Sequence, residues 1–161
     1  MEQPEMERVY KQYADMIYRI ALNDTHSPTD AEDILQEVLL ARFLHSGFED
    51  PEHEKRWLIR VTLNKGKNLR RFQLRHPTVP LESVYEQPSP GEPDYRPLRE
   101  AVAALPRKWR RAVDLYYFEG YSTAEIAALL PAREATVRTW LRRARLKLKE
   151  TLQEEWNDDE F

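Results

Sequence analysis

A chain of 161 residues that is 41% hydrophobic and 33% charged has room for one domain or two small ones, each with a modest core. No apolar run approaches the roughly 18 residues that span a bilayer. Met1 to Arg8 is acidic and lacks the apolar stretch of a signal peptide, so the expected location is cytoplasmic, without membrane insertion. The sequence has no cysteine, which excludes disulfides and thiolate metal sites. The formal net charge of -3 averages over opposed segments. Residues 1–50 carry 4 basic and 11 acidic side chains, 51–75 carry 8 and 2, 76–97 carry 1 and 4, 98–150 carry 12 and 6, and 151–161 carry 5 acidic ones alone. Two basic segments, each bounded by acidic ones, point to two separate surfaces for phosphate and at least one acidic surface for a different partner.

The first predicted helix carries Val9, Tyr13, Ile17 and Ile20 at helical spacing. The second turns Ile34, Val38 and Ala41 to the core, which leaves Asp33, Gln36, Glu37 and Leu40 together on the opposite face. Such a face offers acceptors around an apolar contact and suits a partner helix rich in arginine. The alternative is a solvated acidic surface in which Asp30, Glu32 and Asp33 offset the dipole at the helix start. The third predicted helix turns Leu58, Val61, Leu69 and Phe72 inward, while Arg56, Arg60, Asn64, Lys67 and Arg71 share a stripe at spacings of 4, 4, 3 and 4. The cations suit a phosphate backbone, and Asn64 is the one member able to read a base edge. Trp57 is either a strand-separating wedge or a core aromatic.

Six of the 11 prolines (Pro77, Pro80, Pro88, Pro90, Pro93, Pro97) fall between His76 and Pro97, in a stretch without helical periodicity. Residues 76–97 therefore read as an extended, semi-rigid linker rather than a long loop within one domain. Beyond it, Leu98, Val102 and Leu105 predict a short helix closed by Pro106, and Trp109, Ala112, Val113 and Tyr116 a second. Ile126, Leu129 and Leu130 mark a third; Val137, Leu141, Ala144 and Leu148 mark a fourth from about Glu134 to Glu150. No segment alternates apolar and polar residues over strand length. The expected fold class is all-α, with two small helical domains at 1–75 and 98–152 and an acidic tail at 153–161.

Ser122-Thr123-Ala124-Glu125 is a capping box that opens the third of these helices, and Pro131-Ala132-Arg133 separates it from the fourth. Two helices across so short a turn form a helix-turn-helix, whose second helix enters the major groove. On that helix Arg138, Arg142, Arg145 and Lys149 lie one residue past the core stripe, and Thr136, Trp140, Arg143 and Lys147 one residue before it. Basic side chains thus flank the stripe on both sides. A solvated cationic face is the bland alternative, but seven basic residues between Arg133 and Lys149, opposed only by the terminal glutamates, favour DNA.

These segments resemble bacterial RNA polymerase sigma factors of the sigma-70 family, extracytoplasmic-function (ECF) subfamily. Leu105-Pro106, the run from Tyr116 to Ala127, Ala135 to Thr139, and Arg143-Ala144-Arg145 look like the domain that reads the minus-thirty-five promoter element. Asp30 to Val38 looks like the helix by which sigma factors hold the clamp helices of the largest polymerase subunit. Trp57 to Asn64, continuing to Leu69-Arg70-Arg71, resembles the segment that opens and reads the minus-ten element. The resemblance implies polymerase binding by Asp30, Asp33, Gln36, Glu37 and Leu40, and minus-ten contacts by Phe48, Arg56, Arg60, Asn64, Lys67 and Arg71. It implies minus-thirty-five contacts by Arg133, Thr136, Arg138, Thr139, Arg142, Arg143 and Arg145. The loop from His45 to Glu54 corresponds to the place where family members capture an unstacked base. Pro131 and Arg133 depart from the family's usual glycine and serine, and Trp140 stands where a basic residue is common; it either stacks on the sugar-phosphate edge or packs on the domain.

The resemblance further implies an initiation factor without catalytic residues, metal or cofactor. Its partners would be core RNA polymerase and double-stranded and melted promoter DNA, with an anti-sigma factor as a further candidate. A stand-alone helix-turn-helix regulator is the alternative, yet the chain offers neither a long apolar heptad for dimerisation nor a phosphoacceptor pocket on alternating strands and helices. An enzyme finds no footing: His26, His45, His53 and His76 lie in no ligand spacing, and no glycine-rich phosphate loop follows a strand.

Overall fold

The computed structural model describes residues 2–76, 90, 91 and 93–159, with side chains through Gln153. The described residues are helical and turn structure without a strand, and the chain divides into two compact units, Met1–Glu82 and Ser83–Phe161. The division falls within the expected linker, most of which (77–89 and 92) lies outside the described residues.

The first unit is a three-helix bundle of α1 (Gln3–Thr25), α2 (Pro28–Leu44) and α3 (Pro51–Arg75). Its corners are written in capping residues. His26 ends α1 in the left-handed region at φ 56°, donating its N–H to the Leu22 carbonyl; Ser27 then accepts from the Asp30 N–H, with Pro28 in the first turn of α2. Asp50 and Pro51 repeat the device for α3, with the Asp50 carboxylate accepting from the His53 N–H at 2.7 Å. Helix α3 therefore begins four residues earlier than the loop expected over His45 to Glu54 would allow, and the loop is confined to 45–50.

The core of this unit joins Val9, Ile17 and Ile20 of α1 to Ile34 and Val38 of α2 and Leu58, Ile59 and Leu63 of α3. Each such side chain contributes about 1.5–3 kcal/mol by leaving water. Two expectations shift. Arg42, at the spacing set by Ile34 and Val38, takes the inward position expected of Ala41. On α3 the inward residues are Leu58, Ile59, Thr62, Leu63 and Gly66, whereas Val61 and Leu69 are half-buried and Phe72 is 57% exposed. The reason is geometric: α3 packs on both α1 and α2, so it buries adjacent pairs turn by turn instead of a single stripe. The buried Thr62 hydroxyl is satisfied by the Leu58 carbonyl at 2.7 Å.

In the second unit, α4 (Arg96–Ala103), α5 (Arg107–Val113), a π-helical turn (Asp114–Phe118) and α6 (Thr123–Leu129) precede α7 (Glu134–Asp159). Buried Arg110 donates to the carbonyls of Ala103 at 3.0 Å and Leu105 at 2.8 Å, closing the end of α4, so this cation serves the fold. The π turn, marked by the Glu119 N–H reaching back five residues to the Asp114 carbonyl, buries Leu115 and turns Tyr116 outward, where a continuous α-helix would have kept Tyr116 on the core stripe. Helix α7 buries Val137, Leu141 and Ala144 with Leu148 half-buried, and continues past Glu150 through most of the segment expected to be a tail.

Candidate polymerase and nucleic-acid interfaces

The outward face of α2 carries Asp33, Gln36, Glu37 and Leu40, all exposed. Asp33 and Gln36 have no side-chain partner among the described residues, while Glu37 lies 3.6 Å from Lys65 of α3. Asp30 stands apart: it is half-buried in the first turn, and its carboxylate accepts from Gln73 of α3 at 3.0 Å. Leu40 is 59% exposed and is continued by Phe43 at 45% and Leu44 at 77%, an apolar end to the acidic face. Sequence reasoning missed Phe43 and Leu44; their signal is two large apolar residues off the core phase in the last turn of α2.

On α3, Arg56, Arg60, Asn64, Lys67 and Arg71 are all exposed, roughly a third of a turn from the core face. Among the described residues none of these five side chains has a hydrogen bond or ion pair, so the charge of the four cations is available to an external anion. The loop before α3 lies against this helix's start. Phe48, half-buried, meets His45 at 5.1 Å, His53 at 5.4 Å and Trp57 at 5.5 Å between ring centroids, and Trp57 stacks on His45 at 4.8 Å. Trp57 is thus built into the wall of the loop.

Beneath the loop lies an ion network that sequence reasoning missed altogether. Glu54, 4% exposed, accepts from Arg42 Nε at 3.0 Å and Nη2 at 2.7 Å, and from Arg8 at 3.1 and 2.9 Å. Arg42 also reaches Glu5 at 3.0 Å and the His45 carbonyl at 2.9 Å. Burial works to raise the Glu54 pKa, but hydrogen bonds from Arg8 and Arg42 outweigh it and hold the carboxyl below its ordinary value. The only sequence signal was a charged residue on the core phase of an apolar helix.

In the second unit, Ser122 and Glu125 form both halves of the capping box, at 3.2 and 3.0 Å. The turn into α7 is made without a left-handed residue. Leu130 sits at φ -98°, and the Ala132 N–H closes on the Ala127 carbonyl at 2.9 Å, so Pro131 replaces the family's glycine without strain. Glu134 links the two helices by accepting from Thr123 at 2.8 Å and from Arg138 at 2.9 Å. Arg133, Arg138, Arg142, Arg143 and Arg145 are exposed, and Thr136 and Thr139 half-buried. Thr139 donates its hydroxyl to the Ala135 carbonyl, and Arg145 donates to the Tyr117 hydroxyl at 3.0 Å. Trp140 is half-buried with Lys108 of α5 6.0 Å from its ring centroid, so it packs on its own domain.

Two family models match this chain: Sigma-70 region 2 over residues 9–76 and Sigma-70, region 4 over 95–148. The ECF RNA polymerase sigma factor SigL of Mycobacterium tuberculosis is 30% identical over 158 residues, an alignment that covers 92% of this chain and 89% of that protein. The chain belongs to the ECF RNA polymerase sigma factor family. Directing transcription initiation by RNA polymerase is the function this membership carries. The ECF sigma factor SigM of Bacillus subtilis is 26% identical, with 96% of this chain and 99% of that protein aligned. SigE of Mycolicibacterium smegmatis is 32% identical over 92% of this chain, which spans 62% of that longer relative. Among solved structures, the sigma factor RpoE of Bartonella quintana in complex with the anti-sigma factor NepR gives a TM-score of 0.77 at 22% identity, covering 92% of this chain and 97% of that one. CnrH in complex with the cytosolic domain of CnrY gives 0.66 at 21%, covering 94% and 90%. These two likenesses support the all-α sigma fold. No described helix is long and apolar enough to cross a membrane.

Proposed function

We propose that the first unit of this ECF sigma factor binds core RNA polymerase through α2 and engages the minus-ten element through α3 and the 45–50 loop. The second unit then reads the minus-thirty-five element through α7. The observation that carries this reading is the pair of exposed cationic helix faces, one per unit, whose arginines on α3 have no partner among the described residues. The factor itself catalyses no reaction and acts in the cytoplasm beside the polymerase. An anti-sigma protein is a natural further partner, since the RpoE neighbour was solved with the anti-sigma factor NepR and this chain exposes Leu40, Phe43 and Leu44. In vitro transcription with purified core enzyme and a genomic fragment library tests the whole proposal. Discrete start sites that depend on this chain are expected, and their absence would leave only a stand-alone DNA-binding regulator.

Two predictions divide the labour among the DNA-facing residues. Asn64→Ala and Phe48→Ala should impair open-complex formation more than initial promoter binding, because these groups act once the strands part. Permanganate footprinting beside gel shifts on duplex promoter checks this, and an equal defect on closed duplex contradicts it. On α7, the first turns should lie deepest in the groove. Arg138→Ala should therefore cost about 1–3 kcal/mol on the best upstream element and relax preference at one or two base pairs. Its pair with Glu134 is exposed on both sides and so releases cheaply. Arg142→Ala or Arg143→Ala should weaken all sequences alike and lower the salt-dependence slope by about one unit per lost phosphate contact. Holoenzyme binding to point-mutated upstream elements at several salt concentrations separates the two behaviours.

A further inference from the structure

The guanidinium of Arg42 touches every element around the 45–50 loop. It is 3% exposed, in the last turn of α2, and spends four hydrogen bonds: two on Glu54 of α3, one on Glu5 of α1, and one, at 2.9 Å, on the backbone carbonyl of His45. Its Cζ also lies 4.6 Å from the centroid of the Phe48 ring. A fold-stabilising ion pair needs only the first two contacts. The carbonyl and ring contacts go to the loop itself, fixing both where its backbone leaves α2 and how Phe48 is presented. A cleft of about 770 Å³ opens between this loop and the start of α1, lined by Arg8, Gln12 and Phe48 among others.

We infer that Arg42 is a positioning residue for recognition of the melted minus-ten strand. Anchored through Glu54 and Glu5, its planar fork holds the 45–50 loop and the Phe48 ring in the geometry that discriminates among unstacked bases. This rests on the reading of that loop as the base-capturing element. A lysine cannot do the same work, because its point-like ammonium serves Glu54 or the His45 carbonyl but does not span both while stacking on a ring.

The test uses holoenzyme reconstituted with the full chain and fork-junction DNA from its mapped promoters, with each of the four bases in turn at every unpaired nontemplate position of the minus-ten element. Two variants keep the outcome separate from folding. Arg42→Lys retains the charge, and Arg42→Leu with Glu54→Leu replaces a buried ion pair by apolar volume, an exchange that commonly preserves stability. Both should match the parent in core binding and affinity for closed duplex, and both should stay fully folded at the assay temperature. Both should lose about tenfold in preference at the loop-read position, as expected for one charge-assisted hydrogen bond. Parental base preference in both variants overturns the inference, and so does a loss that tracks unfolding at the assay temperature or weakened core binding, which marks a structural role only. Phe48→Ala serves as the control. If it leaves base preference unchanged, the loop reading fails and takes this inference with it; if it abolishes preference while the Arg42 variants keep theirs, the positioning role alone is refuted.

Discussion

Replacing Asp33 by arginine is expected to weaken binding to core RNA polymerase by about 3 kcal/mol, roughly a hundredfold, while leaving the helical content unchanged. The side chain stands exposed on α2 without a partner among the described residues, and it lies beyond the first helical turn, where its loss would disturb the helix dipole. The fold has little to lose, so the effect isolates the interface. Changing Gln36 and Glu37 together to lysine should act in the same direction, with a small folding cost because Lys65 already sits 3.6 Å from Glu37. Pull-down with core enzyme beside circular dichroism decides the matter. Unimpaired association would move the polymerase contact off this face.

Glu54→Ala is expected to destabilise the first unit by about 3–5 kcal/mol, the usual cost of stripping one partner from a buried ion pair. In so small a helical unit that is most of a total stability on the order of 5 kcal/mol. The effect has a pH signature. Glu54 titrates below its ordinary value in the folded protein, with Arg8 and Arg42 facing it, Glu5 sharing Arg42, and Tyr13 close by. Its stabilisation is complete above the ordinary carboxylate range and is lost as the pH falls through the lower folded-state value. The gap in melting temperature between parent and Glu54→Ala should therefore be widest near neutrality and close in acid. A gap that stayed constant down to the acid transition would show that Glu54 acts by shape and not by charge.

The helices of both units were legible because their punctuation was local. The Ser122 to Glu125 box announces a start within four residues, and the core stripe of α7 follows a single period, whereas the equally local Asp50-Pro51 start of α3 was overrun by the loop expected through Glu54. What sequence spacing did not carry was information about how many neighbours a helix has. Helix α3 packs against two others, so a one-stripe reading placed Phe72 inside when it lies out. The Arg42–Glu54 pair was invisible for a related reason. Each residue looks like a surface charge by itself, and only the meeting of the end of α2 with the first turn of α3 makes them a buried pair. Local periodicity also assumed an uninterrupted α-helix through Tyr116, which the π turn breaks.

That π turn holds one residue more than the helical path strictly requires. Leu115 within it and Tyr121 after it are buried, whereas Tyr116, Tyr117 and Phe118 bulge outward. The aromatic triplet it displays lies outside the core, tied to α7 through the Tyr117 hydroxyl and Arg145, so truncating one of these rings should cost the fold less than truncating Leu115 or Tyr121.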